Sequence, residues 1–187
     1  MLSETIKVDP LLLRPYQLYD VEAVLSFASD PEWARYLPIP QPYTYSDAEA
    51  FIASQILLDK ELHQSWAITD EDKPIGGINI RFDVQNRAAE IGYSIARPYW
   101  GRGFMTQVAG AVINTAFETY LELHRIRAMA DARNSASLRV MEKLGMSREG
   151  HLRQNRWLRG KFIDEVWCGL LRYEWANQRA SSTNDKK

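Results

Sequence analysis

Between Met105 and Tyr120, apolar side chains fall at Val108, Ala109, Val112, Ala116, Phe117 and Tyr120. Steps of three and four place them on one broad stripe, the pattern of a helix with one face against a core. Val21, Val24, Leu25 and Ala28 repeat the pattern and predict a helix over Asp20–Ser29, with Asp20 as its N-cap. Ser46-Asp47-Ala48-Glu49 has the form of a capping box and predicts a helix running toward Leu58. Asn134 predicts the start of another helix, ending at Leu144. Gly145 then stands at the left-handed position, and Met146 is placed to close that end against Met141.

Elsewhere the apolar positions come in short or alternating runs. Leu11–Arg14, Ser65–Thr69, Ile75–Phe82, Ala88–Ala96, Arg125–Ala130, Ser147–Arg156 and Ile163–Trp175 read as strands. Asp70–Pro74 and Asp83–Arg87 read as turns. Pro38, Pro40 and Pro42 break regular structure in a loop that carries Tyr36, Tyr43 and Tyr45. The order β-α-α-β-β-β-α-β-α-β-β implies an α/β or α+β domain around one central mixed sheet. The 187 residues show no repeat and no linker, so a single domain over residues 1–176 is expected. The polar end, residues 177–187, is expected to be a disordered tail.

Composition narrows the function classes. A net charge of −1 supplies no general field for nucleic acid or an anionic membrane, so either would need a local patch. Cys168 is the one cysteine, which rules out an internal disulfide and fits a reducing compartment. The N-terminus has no basic start followed by an apolar run, and no apolar stretch nears the ~20 residues of a membrane span. A cytoplasmic location is expected.

Three segments carry chemistry. In Arg97-Pro98-Tyr99-Trp100-Gly101-Arg102-Gly103-Phe104-Met105-Thr106, a strand end meets a helix start across two glycines. Unpaired amides and the dipole of a helix N-terminus suit a pyrophosphate. Gly-x-Gly by itself equally fits an ordinary strand-to-helix turn, and the segment matches neither a P-loop nor a dinucleotide fingerprint. In Ala89-Glu90-Ile91-Gly92-Tyr93-Ser94-Ile95-Ala96, alternation puts Ile91, Tyr93 and Ile95 on one face and Glu90, Gly92, Ser94 and Ala96 on the other. The second face is either room for a ligand beside a carboxylate or a solvent face with a surface glutamate. Asn134 to Met146 starts a helix with Ser137 in its first turn, which simple capping also explains.

Together the three segments resemble the GNAT-type N-acetyltransferases, and among them the RimJ/RimL-like branch that acetylates ribosomal-protein N-termini. The matching words are Glu90-Ile91-Gly92-Tyr93, Tyr99-Trp100-Gly101-Arg102-Gly103-Phe104-Met105-Thr106, and Asn134-Ser135-Ala136-Ser137 through Lys143-Leu144-Gly145-Met146. A further match runs from Glu149-Gly150-His151-Leu152-Arg153 to Gly160 and Asp164, and the resemblance spans about Leu13 to Trp175. It implies a mostly antiparallel sheet flanked by helices, with acetyl-CoA lying between two splayed parallel strands, Ala88–Ala96 and Arg125–Ala130. The pyrophosphate is implied to sit on the loop amides, which makes Trp100, Gly101, Arg102, Gly103, Phe104, Met105 and Thr106 the implied cofactor-binding residues. Asn134 and Ser137 are implied to face the cofactor from the next helix. The sequence departs from the family pattern at Trp100 and Met105 in the loop, and at Met141, where many members carry a tyrosine. It also lacks a glutamate near Asn155-Arg156 that relatives acting on ribosomal proteins can show.

The expected reaction is direct attack of an amine on the thioester. Glu90 is the expected general base, the Ile95 amide the donor to the oxyanion, and Ser137 the donor to the departing thiolate. The acceptor is expected to be a protein N-terminus or a small-molecule amine, and the protein a monomer or homodimer. A non-catalytic acyl-CoA sensor or scaffold is the alternative reading. His63, His124 and His151 fit no metal-ligand spacing, so no metal is expected, and Cys168 in its apolar strand reads as a buried, inert thiol. Arg148, Arg153, Arg156, Arg159 and Lys161 with Trp157 form a basic patch, read as a solvated hairpin or as a contact for RNA or an acidic acceptor. The Pro38–Tyr45 loop either lines the acceptor site or only covers the core.

Overall fold

A computed structural model describes residues 2–184. Its strands are β1 (Ile6–Val8), β2 (Leu11–Arg14), β3 (His63–Asp70), β4 (Lys73–Asp83), β5 (Ala88–Ile95), β6 (Arg125–Asp131), β7 (Ser147–Leu158) and β8 (Lys161–Leu171). The helices are α1 (Val21–Ala28), α2 (Pro31–Ala34), α3 (Tyr45–Ile56), α4 (Phe104–Thr119), α5 (Ser135–Lys143) and α6 (Arg172–Asn184). All eight strands form one sheet in the order β1-β2-β3-β4-β5-β6-β8-β7. Every neighbouring pair is antiparallel except β5 and β6. The parallel pair follows from connectivity, because α4 carries the chain across the sheet face from the end of β5 to the start of β6. This is the mixed, mostly antiparallel sheet flanked by helices that the sequence implies.

The apolar stripe of α4 is the core's centre. Val108, Ala109, Val112, Ala116 and Phe117 are buried against Trp66, Ile68, Ile78, Ile80 and Ile91 of the sheet. Each large side chain so buried contributes roughly 1.5–3 kcal/mol. On the opposite sheet face, Val21, Val24 and Ala28 of α1 and Ala48 and Ile52 of α3 pack with Tyr16 and Ala67. The sheet thus has an α4–α5 face and an α1–α3 face.

Local signals set the end of α5. Gly145 sits at φ +74, its amide donates to the Glu142 carbonyl (2.9 Å), and the Met146 amide donates to Met141 (3.0 Å). These two bonds make a Schellman closure, as the Gly145-Met146 pair predicts.

Other expectations are corrected. Asp20 holds the N-cap position of α1 but makes no side-chain cap bond. Fully buried, it accepts from Arg14 Nη1 and Nη2 (both 2.8 Å) and the Gln17 amide (2.8 Å). The ion pair outcompetes the cap because a buried carboxylate needs a charged partner. Helix α3 is capped two residues earlier than the Ser46 pattern suggests. Thr44 is its cap, accepting from the Asp47 amide (3.3 Å) while Asp47 Oδ2 accepts from the Thr44 amide (2.8 Å). Strand β1 is additional. The last strand ends at Leu171, not Trp175, and the segment expected as a tail from 177 is helical through Asn184. The expectation for residues 185–187 lies outside the described residues. Trp175 anchors α6, its ring 5.0 Å from Phe117 and its Nε1 donating to Asn114 Oδ1 (2.7 Å).

Candidate active site

Strands β5 and β6 pair only at Ala88–Arg125, Ala89–Ile126 and Glu90–Arg127. Beyond Glu90 they run on to Ile95 and Asp131 without pairing, so a V-shaped gap opens in the middle of the sheet. The Ala96 amide donates to Ile75 on the β4 side (2.6 Å). Strand alternation therefore turns the Ile95 amide and carbonyl the other way, into the gap. The Ile95 carbonyl is taken by Trp100 Nε1 (2.6 Å), which leaves the amide as the available donor.

The loop from Trp100 to Thr106 closes the wide end of the V. Gly101 and Gly103 have φ +75 and +80, which L side chains rarely adopt. A Cβ at either would meet nothing within 4 Å, so the space above the loop is open. Gly103 is the N-cap of α4, and the Gln107 amide is already bonded to its carbonyl (3.2 Å). The amides of Phe104, Met105 and Thr106 precede that bond and have no intrahelical partner, which makes an anion site. The Met105 side chain is buried in the core, so only its backbone is offered. The Arg102 guanidinium lies over the Tyr99 ring, 5.4 Å from its centroid, and Tyr99 is held in turn by Asp70 (2.9 Å).

From the other arm of the V, Asn134 caps α5, its Oδ1 accepting from the Ser137 amide (3.1 Å). The Ser137 hydroxyl meets Tyr93 Oη at 3.2 Å, and that hydroxyl also donates to the Ser137 carbonyl (3.3 Å). Burial pushes the Tyr93 phenol up to about 12, against the hydrogen bond from Ser137, with the nearby Cys168 adding to the rise. Met141 is buried in the core and offers no polar atom here.

Glu90 lies where the pairing stops, on the sheet face opposite Tyr93, three residues along the same strand. Its Oε1 accepts from Arg81 (2.9 Å) and its Oε2 from Arg127 (3.2 Å). Each carboxylate oxygen keeps a second lone pair for a water or an amine. Arg127 also stands over the Trp167 ring at 5.4 Å. Next to it, Gly92 lets Asn79 close in, since a Cβ there would meet Asn79 Nδ2 at 3.2 Å.

A roof spans the arms of the V on the Glu90 side. Asp30 pairs with Arg97 (2.8 Å), and Tyr36 donates to the Arg133 carbonyl (3.3 Å). Arg159, at the tip of the β7–β8 hairpin, donates to the carbonyls of Ala34 (2.8 Å), Arg35 (2.9 Å) and Leu37 (3.1 Å). Two arginines of the basic patch are therefore structural, since Arg156 is likewise engaged by the buried Glu165 (2.6 Å). Tyr43 packs into the α1–α3 core, whereas Tyr36 joins the roof.

The loop glycines, Ile95, Asn134 and Ser137 thus meet around one gap, with Glu90 on its far face. From sequence alone, Arg127 is not singled out, Tyr93 has no role beyond its strand face and the family match, and Arg159 reads only as part of a basic patch. For Arg159 the Arg159-Gly160 turn was the available signal, since both residues are left-handed (φ +45 and +78). The thiol of Cys168 is buried and held above its ordinary value by desolvation, the opposite of an activated nucleophile. Among the described residues, no group of three or more His, Cys, Asp or Glu side chains is arranged to hold a metal ion. Nor, among those residues, is any helix long and apolar enough to cross a membrane.

Known proteins share this fold. Residues 10–147 match the family model described as an acetyltransferase (GNAT) domain. The chain is 32% identical over 178 residues to the uncharacterized N-acetyltransferase p20 of Bacillus licheniformis, covering 92% of this chain and 99% of that protein. Among solved structures, a GNAT-family acetyltransferase from Bacillus anthracis superposes with a TM-score of 0.81 at 28% identity, covering 91% and 99% of the two chains. RimL, a ribosomal L7/L12 α-N-protein acetyltransferase solved with coenzyme A, shares the fold with a TM-score of 0.79 at 21% identity, covering 90% and 98%. This chain belongs to the GNAT acetyltransferase family and is an N-acetyltransferase, an enzyme that moves acetyl from acetyl-CoA to an amine.

Proposed function

We propose that the chain transfers acetyl from acetyl-CoA directly to a primary amine, either the α-amine of a protein N-terminus, as in the RimJ/RimL-like branch, or a small-molecule amine. The observation that carries this reading is the gap itself. It has an unengaged Ile95 amide on one arm, unpaired α4 amides at its mouth, the Asn134–Ser137 turn on the other arm, and a carboxylate at its apex. Acetyl-CoA supplies an activated acetyl thioester. The Phe104, Met105 and Thr106 amides hold its pyrophosphate, an anion matched to a helix N-terminus. Asn134 and Ser137 face the arm of the molecule that lies in the gap.

Glu90 relieves the incoming amine of its proton, through a water that bonds the free lone pair of its carboxylate. The Ile95 amide stabilises the oxyanion as it develops. Glu90 and Ser137 lie on opposite faces of the sheet, so proton removal from the nucleophile and support of the leaving group occur on opposite sides of the acetyl carbon.

A thiol-release screen tests the acceptor class. Acetyl-CoA is offered with peptides beginning Ser, Ala, Thr or Met, and in parallel with polyamines and other small amines. Turnover with peptides and not small amines supports an N-terminal acceptor, and the reverse supports a small molecule. Release with neither overturns the proposed acceptor classes.

A further inference from the structure

Tyr93 is a half-buried tyrosine beside the gap whose hydroxyl the reaction scheme above does not use. It stands on β5 past Glu90, the last residue paired with β6, and its ring reaches the α4–α5 side to meet the first turn of α5. Among the described residues, its hydroxyl bonds only Ser137, accepting from Oγ (3.2 Å) and donating to the backbone carbonyl (3.3 Å). The two residues are 44 positions apart in the chain and lie on opposite arms of the V. Ser137 is fixed from behind by the Asn134 cap at 3.1 Å. A serine hydroxyl rotates freely and points to whichever acceptor is nearest, so by itself it is a poorly aimed donor.

We propose that Tyr93 is a positioning residue for acetyl transfer, holding the Ser137 hydroxyl so that its proton is aimed at the departing CoA sulfur. The inference rests on the transfer scheme given above. When the amine nitrogen bonds to the acetyl carbon, the C–S bond breaks and its electron pair goes to sulfur. The Tyr93 O–H turns from the Ser137 carbonyl to Ser137 Oγ, which frees the serine proton to bond the thiolate. Ser137 keeps its proton and acts only as a hydrogen-bond donor to the thiolate, which takes a proton from solvent, while Glu90 passes the amine's proton to water on the other face, so no enzyme group ends the cycle changed. Burial keeps Tyr93 protonated throughout the working range, as a donor must be. Cys168 is the titratable group that acts on Tyr93.

The test reads the sulfur directly. The thiol of bound CoA is titrated by the ultraviolet absorbance of its thiolate, in a Cys168→Ala background that removes the enzyme's own thiol. The expected result is that bound CoA ionises at lower pH in that background than after adding Tyr93→Phe or Ser137→Ala. Steady-state kinetics should show Tyr93→Phe lowering kcat at least tenfold, with acetyl-CoA Kd changed less than threefold. The Tyr93→Phe/Ser137→Ala double variant should lose no more than Ser137→Ala alone, because the pair acts as a unit. Should Tyr93→Phe not fold, the thiol titration of Ser137→Ala decides. An unshifted CoA thiol in the folded variants overturns the proposal, as does near-normal kcat. The titration needs no acceptor, so it fails or succeeds separately from the transfer scheme.

Discussion

Replacing Gly103 with Asp puts a negative charge at the N-terminus of α4, where the pyrophosphate is proposed to bind. Two penalties are separable. A side chain at φ +80 costs roughly 1–2 kcal/mol of fold stability, and Ala, Asn and Asp all incur it. None adds a clash, because a Cβ at Gly103 meets nothing within 4 Å. The charge falls on Asp alone. A carboxylate about 5 Å from a phosphate charge is opposed by about 0.8 kcal/mol in bulk water and about 3 kcal/mol at an effective dielectric of 20. The loop is exposed, which favours the smaller figure, but a pyrophosphate carries more than one charge. The expected loss of acetyl-CoA affinity is therefore at least tenfold, or about 1.4 kcal/mol. Gly103→Asn, of the same shape, should lose less than threefold. Calorimetry at two salt concentrations provides the assay, and the Asp–Asn difference should shrink as salt rises. Equal affinities for folded Asp and Asn variants would refute the phosphate assignment, as would an Asp variant that binds like the parent.

Three further outcomes follow from the same geometry. Glu90→Gln keeps the shape between Arg81 and Arg127 but removes the base, so kcat/KM should fall roughly 10²-fold at pH 7 and less at high pH, where the acceptor is already neutral. A flat, near-normal profile over pH 6–9 would make Glu90 only an ion-pair residue. Cys168→Ala should retain most activity, and mass spectrometry should find no acetyl-enzyme; an acetyl group trapped on Cys168 would replace direct transfer with a covalent route. His63 is held below its ordinary value by burial first and the charge of Arg81 second, against a hydrogen bond involving Asn79. A histidine so depressed binds fewer protons folded than unfolded, so stability is full above its ordinary value and lost as pH falls below it. The urea midpoint should drop from pH 7 to pH 5 more in the parent than in His63→Gln, and equal drops would contradict this.

What the sequence determined by itself is whatever is coded within a few neighbouring residues. The stripe of α4 specifies a helix and the face it buries, since spacing alone sets that face. The Asn134 cap and the Gly145-Met146 closure bound α5 from both ends by bonds that span only a few positions. The alternation in β5 separates the core face of Ile91 and Ile95 from the Glu90 face. The residues around the gap were legible for the same reason, being clustered in two short segments at the ends of these elements.

The tertiary structure decided what depends on a partner distant in sequence. Asp20 left its capping role because folding brought Arg14 to it in a buried setting. Helix α6 has no strong apolar stripe of its own, and its start is anchored by Arg172, which donates to the carbonyls of Leu123 (2.7 Å) and Phe117 (3.1 Å). The V exists because β5 and β6 pair at three positions and then diverge, and no local pattern encodes where pairing stops. Tyr93 meets Ser137 across that gap, and Arg159 reaches Ala34 from 125 positions away. Hydrogen bonds of such length in sequence have no periodicity to betray them; they arise only when packing of the two sheet faces has already fixed the backbone that carries both ends.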